Sequence, residues 1–420
     1  MSSRSTSPGP LARGPATVPD PALTTIVVRV RAVGASYPVY VGRALLGRLD
    51  ELLPPLPGAE VAALVHPGAL APLAERAGGA LARRGLAVHR LEVPEGEAAK
   101  WLAVVEGLYQ RLAAIPVHRP DPVVALGGGA TTDVAGFAAA TWLRGVPLVS
   151  VPTTLLGMVD AAIGGKTGVD LHAGKNLVGA FHQPGVVVAD LDTLATLPAA
   201  ELRSGMAEVI KAGLIADPAL AVACRERAGA VLAGDLDALA PLVEAAIRVK
   251  AGVVAADERE AGGRAILNYG HTLGHALERL AGFGGLRHGE AVALGMVFAA
   301  RVAEAIGLAG PGLVAGHVEL LRAAGLPVGG VDLDPAAVLE AMATDKKHSG
   351  AAGPRLVLLR APGQPELVPA PERSVLIAAI RALAELPRRP GRRGSEAGTG
   401  APGQRAGPSG RPPLESGGPR

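Results

Sequence analysis

Three histidines and one glutamate have the types and spacing of metal ligands. His271 and His275 stand four residues apart, so on a helix they share one face, and His288 follows His275 at the start of another helical stretch. Glu208 lies in a largely apolar stretch, where a buried carboxylate needs a cationic partner. Catalytic zinc sites use three such ligands and keep one position open for substrate. A zinc site would leave one of the four residues for proton transfer, and histidines that only pack between helices are the alternative.

Three consecutive glycines, at residues 127–129, follow a strand-like run and precede a helical stretch. Glycine lets the backbone approach a ligand closely, and a helix N-terminus offers free N–H groups and a positive dipole end to a phosphate. No glycine stands at the third place of the GxGxxG dinucleotide fingerprint. The loop therefore predicts a phosphate-binding turn, with a tight turn that binds nothing as the alternative.

Two further segments place charged side chains beside glycines. Lys166 and Lys175 each follow a glycine, which suggests a mobile or tightly turned anion site, because lysine offers a point charge to phosphate or carboxylate. Glu95, Glu97 and Lys100 follow another strand-like run, where ligands bind in open α/β sheets. A glutamate at that position can accept hydrogen bonds from a ribose. Solvated surface side chains are the alternative in both segments.

Two well-known motifs are absent from the sequence. The histidine segment lacks the HExxH pattern, which argues against a zincin peptidase. Residues 164–167 resemble the end of a P-loop, but that motif needs a glycine where Asp160 stands. A nucleoside triphosphatase of the Walker type is therefore excluded.

The elements that must position these residues change in kind near residue 190. Short apolar runs alternate with helical stretches over residues 23–190, which predicts an α/β domain with a mostly parallel sheet. The strand-like runs are residues 25–33, 61–66, 88–93, 122–126, 147–151 and 186–189. Residues 191–386 are rich in Ala and Leu with helical patterning, which predicts an all-helical second domain. The helical stretches of the first domain are residues 71–84 and 99–113. Those of the second domain are residues 201–216, 219–233, 236–257, 265–281, 289–306 and 316–324.

Composition excludes several other classes of protein. The chain has 420 residues, of which 49% are hydrophobic and 2% aromatic, a globular composition with enough length for two domains. The net charge of +3 comes mainly from Arg-bearing tails at residues 1–22 and 387–420, so it does not indicate nucleic-acid binding. These tails are rich in Pro and Gly and are expected to be disordered.

Cysteine content and hydropathy bear on location. The single cysteine, Cys224, excludes an intrachain disulfide and a zinc site of several thiolates, and it fits a reducing cytoplasm. The N-terminal residues lack the apolar core of a signal peptide. The uncharged run at residues 145–159 is too short to span a membrane. We therefore expect a cytoplasmic protein without a membrane or nucleic-acid partner.

Several long motifs, taken together and in order, resemble the 3-dehydroquinate synthase family. The likeness runs from Ser36 to Lys347. Its motifs are GGGATTDVAGFAAATWLRGV, VPTTLLGMVDAAIGGKTGVDLHAGKNLVGAFHQP, SGMAEVIKAG, DERE, LNYGHTLGHALE and HGEAV. The resemblance implies an N-terminal α/β NAD-binding domain, a C-terminal helical domain, an active site between them, and a homodimer.

The same resemblance implies roles for individual residues. Zinc would be held by Glu208, His271 and His288, which leaves His275 for proton transfer or orientation. The implied contacts of NAD are Glu95, Gly96, Glu97, Lys100, Gly129, Ala130, Thr131, Thr132, Asp133, Thr153, Thr154, Lys166, Lys175, Thr193, Leu194, Ala195 and Thr196. The implied substrate pocket contains Asp160, Lys166, Asn176, Lys211, Lys250, Arg264, Asn268, His275 and, from across the dimer interface, Arg144. Either Lys346 or Lys347 would close over the site.

The activity implied by the resemblance is a cyclisation in the shikimate pathway. 3-Deoxy-D-arabino-heptulosonate 7-phosphate would become 3-dehydroquinate and phosphate through oxidation by NAD, phosphate elimination, reduction, ring opening and aldol closure. Zinc would be the metal, with cobalt as a possible substitute. The alternatives are a sister sugar-phosphate cyclase of the 2-deoxy-scyllo-inosose or valiolone synthase type, a metal-dependent polyol dehydrogenase, and a non-catalytic binding protein. One departure from the family pattern is Thr132, where many relatives have a glycine.

Overall fold

The structure is a computed structural model that describes residues 26–32, 35–260, 262–282, 285–345 and 355–386. The two tails for which disorder is predicted, residues 1–22 and 387–420, lie outside the described residues. Lys346 and Lys347, the two candidates for a residue that closes over the site, also lie outside them.

A seven-stranded sheet dominates the first half of the chain. The strands of the whole structure are β1 (Ile26–Ala32), β2 (Ala35–Gly42), β3 (Val61–Pro67), β4 (Ala87–Val93), β5 (Val123–Gly127), β6 (Leu148–Pro152), β7 (Lys166–Leu171), β8 (Gly174–Phe181), β9 (Val186–Asp190), β10 (Arg355–Leu359) and β11 (Pro365–Pro369). The large sheet has the order β1-β2-β9-β6-β5-β3-β4. Its neighbouring strands are parallel except for the antiparallel pair β1 and β2, which confirms the predicted mostly parallel sheet. β7 with β8, and β10 with β11, form two separate antiparallel hairpins.

Helices flank the sheet and make up most of the second half. They are α1 (Leu49–Leu52), α2 (Ala71–Arg83), α3 (Leu102–Ala114), α4 (Gly129–Thr141), α5 (Ala199–Ala216), α6 (Pro218–Leu232), α7 (Leu236–Ala256), α8 (His271–Leu280), α9 (His288–Ala305), α10 (Leu313–Ala323), α11 (Pro335–Asp345) and α12 (Arg373–Glu385). Among the described residues, none of these helices combines the length and the apolar character that a membrane span requires. The cytoplasmic location stays a prediction.

The central strands are buried on both faces, and this explains their nearly unbroken apolar sequences. In β3, the side chains of Ala62 and Leu64 pack with α2 on one face of the sheet. The side chains of Val61, Ala63 and Val65 point the other way and pack with α3 and α4. The period of two that defines a strand therefore divides one apolar run between two cores.

The core of the helical half continues onto the sheet at its β2 and β9 end. Val39 and Val41 of β2 and Val187 and Ala189 of β9 belong to the same buried cluster as the helices from α5 to α12. One continuous apolar cluster therefore includes residues of both halves and packs the helices against this end of the sheet. The division into two domains near residue 190 stays a prediction.

Several elements differ from the sequence-based expectations. The helical second half is confirmed except for the β10–β11 hairpin, so this half is not all-helical. The segment of Lys166 and Lys175, expected to be a mobile or tightly turned anion site, forms the β7–β8 hairpin, whose two strands were not among the strand-like runs. The helix expected over residues 265–281 is divided into a 3-10 segment, Gly263–Asn268, and α8, because Gly270 takes a left-handed φ of 79°. The break between the two helical segments places His271 at the first position of α8.

Two glycines allow α8 and α9 to pack closely. A Cβ atom at Gly295 of α9 would overlap the carbonyl oxygen of Gly270, and a Cβ atom at Gly270 would lie 2.8 Å from the carbonyl oxygen of Val292. A side chain at either position would push the two helices apart. The start of α8, with His271, is therefore held against α9 at a separation that glycine permits.

We predict that Gly295→Ala lowers the free energy of unfolding by about 1–3 kcal/mol, because the methyl group has no space against Gly270. The matched control is Gly252→Ala in α7, where a Cβ atom would have no neighbour within 4 Å. That control is expected to be neutral or to raise stability by about 0.5–1 kcal/mol, since alanine favours helix more than glycine does. Urea denaturation followed by circular dichroism measures both, and equal stability of the two variants would contradict the packing argument.

Candidate active site

Glu208, His271 and His288 come from three helices and converge at one point. Glu208 lies in the buried middle of α5, whereas His271 and His288 are the first residues of α8 and α9. One potential ligand atom from each residue lies within 4.8 Å of the other two. The close packing of α8 on α9 brings the two imidazoles together, with their ring centroids 5.2 Å apart.

The geometry of these three side chains fits a metal ion with nitrogen and oxygen ligands. Oε1 of Glu208 lies 3.6 Å from Nε2 of His271 and 3.6 Å from Nε2 of His288. Ligands bound about 2.0–2.1 Å from a tetrahedral zinc ion lie about 3.4 Å from one another, which is close to this separation. Within the described part of the chain, Oε1 is buried and accepts no hydrogen bond. A buried carboxylate oxygen without a donor needs a cation, and zinc would supply it.

Neighbouring charges set the protonation of this triad. Burial lowers the pKa of His271 to about 3, and the Lys211 ammonium adds to the effect, so the imidazole is in the neutral form that binds metals. Burial alone would raise the pKa of Glu208, but Lys211 and the histidines outweigh it and hold the pKa well below its ordinary value. Burial alone would lower the pKa of His288, but Glu208 and Glu278 outweigh it and raise the pKa to about 10. The carboxylates therefore favour a cation at this point, and a bound metal would replace the proton.

Both histidines have a partner at Nδ1, the ring nitrogen that faces away from Glu208. Nδ1 of His271 lies 3.2 Å from the carbonyl oxygen of Tyr269, and Nδ1 of His288 lies 3.3 Å from Oε2 of Glu278. Since both partners accept hydrogen bonds, Nδ1 carries the proton and Nε2 is left for a metal. Glu278 was not among the predicted site residues. Its signal in the sequence is its place seven residues after His271, on the same face of α8.

A second cluster of charged side chains adjoins the triad. Asp160, in the short π-helical segment Gly157–Ala161, forms an ion pair with Lys250 of α7. Burial alone would raise the pKa of Asp160, but the ammonium groups of Lys250 and Lys211 outweigh it and lower the pKa to about 2. Burial also lowers the pKa of Lys250, although Asp160 opposes the shift. Lys211 forms an ion pair with Glu208 as well, so the structure brings these predicted pocket residues to the edge of the triad.

The predicted contacts of NAD follow neighbouring parallel strands. A 3-10 turn, Gly96–Lys100, comes after β4, and α4 begins with Gly129 after β5. Thr153 and Thr154 come directly after β6, and a second 3-10 turn, Leu191–Thr196, comes after β9. Because the carboxyl ends of parallel strands meet at one edge of a sheet, these positions lie along the same edge. This is the edge where open α/β sheets bind ligands.

The glycine-rich turn after β5 is tightly packed. A Cβ atom at Gly127 would lie 2.6 Å from the Cβ atom of Thr131, and a Cβ atom at Gly129 would lie 3.0 Å from the Cβ atom of Ala161. Thr132, the departure from the family pattern, is buried, and its Oγ1 donates a hydrogen bond of 2.9 Å to the carbonyl oxygen of Gly129. The threonine side chain therefore folds back onto its own helical turn.

The two hairpin lysines that are predicted to bind anions are each paired with carboxylates. Nζ of Lys166 lies 2.6 Å from Oε2 of Glu260. Nζ of Lys175 lies 3.3 Å from Oε2 of Glu97 and 3.6 Å from Oε1 of Glu278. Glu260 was not among the predicted site residues either, although it ends the DERE motif. Anion binding at these lysines would exchange a carboxylate of the chain for the ligand.

Lys100 joins three elements of the sheet edge. It is buried, and its Nζ donates to Oδ2 of Asp133 at 2.7 Å and to Oδ1 of Asn176. Asp133 belongs to α4 and Asn176 to β8, where it has a left-handed φ of 55°. Lys100 thus ties the hairpin to the glycine-rich turn and fixes the position of a predicted pocket residue.

Arg264 has a different environment from the one expected of a pocket residue. It is only 1% exposed, and its Nη1 donates to the carbonyl oxygens of Glu258 at 2.6 Å and Gly164 at 3.2 Å. In this conformation the guanidinium holds two backbone segments together. Direct contact with a substrate carboxylate would need one of these segments to move.

Three other predicted pocket residues are exposed. The ring centroid of His275 lies 5.3 Å from that of His271 and 6.4 Å from that of His288, so His275 stands beside the triad. Asn268 is the last residue of the 3-10 segment before α8. Arg144 ends a short turn after α4. The part that Arg144 plays across a dimer interface stays a prediction.

Comparisons with known proteins agree with this arrangement. The family model described as 3-dehydroquinate synthase N-terminal matches residues 90–204, and the one described as 3-dehydroquinate synthase C-terminal matches residues 205–348. A 3-dehydroquinate synthase of Mycobacterium leprae (strain TN) is 48% identical over 353 residues, which are 84% of this chain and 96% of that protein.

Solved structures of two sugar-phosphate cyclases share the fold. A 2-epi-5-epi-valiolone synthase from Streptomyces hygroscopicus subsp. jinggangensis 5008, with NAD+ and Zn2+ bound, is 30% identical with a TM-score of 0.76, covering 84% of this chain and 97% of that chain. A 2-deoxy-scyllo-inosose synthase complexed with carbaglucose-6-phosphate, NAD+ and Co2+ is 27% identical with a TM-score of 0.73, covering 85% of this chain and 99% of that chain. The two family models together match more than half of the chain, and the relative from Mycobacterium leprae aligns with 84% of it, which confirms the resemblance seen in the motifs. This chain therefore belongs to the 3-dehydroquinate synthase family.

Proposed function

We propose that this chain is a 3-dehydroquinate synthase of the shikimate pathway, a phosphate-eliminating carbon–oxygen lyase that depends on NAD and zinc. It would convert 3-deoxy-D-arabino-heptulosonate 7-phosphate to 3-dehydroquinate and phosphate. The observation that carries this proposal is the convergence of Glu208, His271 and His288 beside the ion pair of Asp160 and Lys250. The 48% identity to a 3-dehydroquinate synthase supports this substrate.

The two cofactors would occupy the two parts of the site. Glu208, His271 and His288 would hold zinc, and the strand ends along the sheet edge would hold NAD. The two solved relatives contain NAD+ together with Zn2+ or Co2+. When bound, the metal lowers the pKa of a substrate hydroxyl, and NAD accepts the hydride and later returns it.

The side chains of this protein would bind the substrate and move protons. Lys211 and Lys250 place two ammonium groups beside the triad, where a substrate with a carboxylate and a phosphate needs cations. Asn176 and Asn268 can orient hydroxyl groups. His275, exposed and next to the triad, is the candidate for proton transfer. Once phosphate has left, a held conformer is sufficient for much of the remaining chemistry.

Lys166 and Arg264 would need to leave their present partners. The side chain of Lys166 is 47% exposed, so water screens its pair with Glu260, and a substrate anion can replace that carboxylate. Arg264 is buried, so its release requires a backbone movement at Gly164 or Glu258. We propose that residues 23–190 and residues 191–386 are two domains whose relative movement makes this release possible.

A homodimer is part of the proposal, with Arg144 supplied to the site of the partner subunit. Leu143 and Arg144 both have left-handed φ values, 49° and 67°, and Leu143 is 40% exposed. A strained turn that exposes a large apolar side chain next to an arginine fits the composition of protein interfaces.

The alternative is a sister cyclase whose substrate has no carboxylate. The two solved relatives are a 2-deoxy-scyllo-inosose synthase and a 2-epi-5-epi-valiolone synthase, but their identities of 27% and 30% are well below the 48% to the 3-dehydroquinate synthase. Lys250 also favours a substrate with a carboxylate, because it places an ammonium group beside the triad, and Arg264 would add a second cation once it is released. A metal-dependent polyol dehydrogenase is less well supported, and it would accumulate NADH.

We predict that the purified protein releases phosphate from 3-deoxy-D-arabino-heptulosonate 7-phosphate with NAD in catalytic amounts and no net change in NADH absorbance. A chelator should abolish the release and added zinc should restore it, because the triad is expected to bind the metal. A coupled phosphate assay measures both. Glucose 6-phosphate is the control substrate, and its turnover in place of the heptulosonate would favour the sister cyclase.

We predict that His271→Ala loses bound zinc, because the variant retains only two of the three proposed ligands. Metal analysis by mass spectrometry after dialysis gives the zinc content per chain. His89→Ala, on β4 at the far edge of the sheet, is the matched control and should retain zinc. Full occupancy in the His271 variant would refute the assignment of the triad.

We predict that Lys166→Ala lowers kcat/KM by about 10- to 100-fold while the thermal stability is nearly unchanged, because a half-exposed ammonium contributes to anion binding more than to folding. Steady-state kinetics and a thermal melt measure the two quantities. Arg225→Ala is the matched control. It also removes an exposed cation that is paired with a carboxylate, but Arg225 of α6 and its partner Glu319 of α10 are not among the predicted site residues. Equal kinetics of the two variants would count against Lys166 as a pocket residue.

A further inference from the structure

A chain of alternating charges connects the sheet edge with the metal triad. Oε2 of Glu97 lies 3.3 Å from Nζ of Lys175, which lies 3.6 Å from Oε1 of Glu278. Oε2 of Glu278 lies 3.3 Å from Nδ1 of His288, and Nε2 of His288 lies 3.6 Å from Oε1 of Glu208. The five residues come from five different elements, so the path crosses the site from the β4 end of the sheet to α5.

Glu278 occupies the middle of this path. Its side chain is buried, with one oxygen on His288 and the other near Lys175. A carboxylate that accepts the Nδ1 proton of a metal-binding histidine fixes the orientation of the ring and makes Nε2 a stronger ligand. An ammonium on the other oxygen competes for the same negative charge, so the strength of the contact with His288 depends on where Lys175 lies.

We propose that Glu278 is a positioning residue of the metal site and that, through Lys175, it couples the affinity for zinc to the binding of a dinucleotide. The coupling rests on the proposed function, because it takes Lys175 as a contact of NAD. The side chain of Lys175 is 28% exposed and therefore accessible to a dinucleotide phosphate. A phosphate that draws Lys175 toward the sheet edge moves the ammonium group away from Glu278. The carboxylate then interacts more strongly with His288, and zinc binds more tightly. By linkage, zinc strengthens the binding of NAD by the same factor.

The positioning role is tested without NAD. Zinc affinity is measured by competition with a chromogenic chelator for the wild type and for Glu278→Gln, which keeps the volume but removes the charge. We expect the variant to bind zinc about 10- to 100-fold more weakly. Glu290→Gln is the matched control, because Glu290 lies on the same helix as His288 and accepts a hydrogen bond of 3.1 Å from the Arg287 N–H group. An unchanged zinc affinity in folded Glu278→Gln would overturn the positioning role.

The coupling is tested by the same titration with and without saturating NAD. In the wild type, NAD should tighten zinc binding by about fivefold or more. Lys175→Met should bind zinc more tightly than the wild type in the absence of NAD, because the competing ammonium is gone. NAD should then change the zinc affinity of this variant very little. Calorimetry establishes the NAD concentration that saturates the variant.

Each outcome separates this inference from the proposed function. If NAD binds to the wild type but leaves zinc affinity unchanged, or if Lys175→Met responds to NAD as the wild type does, the coupling is wrong and the proposed function stands. If calorimetry shows that NAD does not bind to the zinc-loaded wild type, both the proposed function and the coupling fail. The titration of Glu278→Gln without NAD decides the positioning role in either case.

Discussion

The buried carboxylate of Glu208 is the constraint on which the helical half depends. A buried negative charge is costly unless cations lie beside it, and here Lys211 on the same helix and the imidazole of His288 supply positive charge next to Glu208. The neutral imidazole of His271 lies on the same carboxylate oxygen. The two histidines begin α8 and α9, and the close packing of these helices at Gly270 brings His271 beside Glu208. The positive charge that Glu208 requires thus comes from side chains on α5 and α9, with α8 supplying a further imidazole.

The parallel sheet solves a different problem, which is to gather polar groups from distant parts of the sequence. Its strand ends place the glycine-rich turn, the 3-10 turn at Gly96–Lys100 and the threonines after β6 along one edge. The β7–β8 hairpin then connects this edge to the helical half, because Lys100 holds Asn176 on one side and Glu278 contacts Lys175 on the other. The hairpin is therefore the structural link between the proposed sites of NAD and zinc.

Much of this arrangement could be predicted from the sequence, for reasons that differ between elements. Buried strands such as β3 and β5 are recognisable because both faces are apolar, and the types of the triad residues indicate metal chemistry. The β7–β8 hairpin was missed because its glycines and lysines have little of the β-branched character that marks strands. The burial of Arg264 and the contact between Glu278 and His288 could not be predicted, because they depend on how separate helices and loops pack together. The pattern of residues within one segment carries no information on such distances.

The pairing of each described lysine of the site with an acidic group follows from the charge of the proposed substrate. A pocket for a carboxylate and a phosphate needs several cations, and these would repel one another in a buried site without ligand. The chain meets this requirement with its own carboxylates, as in the pairs of Lys250 with Asp160 and Lys166 with Glu260. Substrate binding is then an exchange of partners, so the gain in affinity from each cation is the difference between two ion pairs. Lys166, whose pair is exposed, can make this exchange at little cost. An exchange at Lys250 costs more, because it leaves the charge of the partly buried Asp160 without its partner.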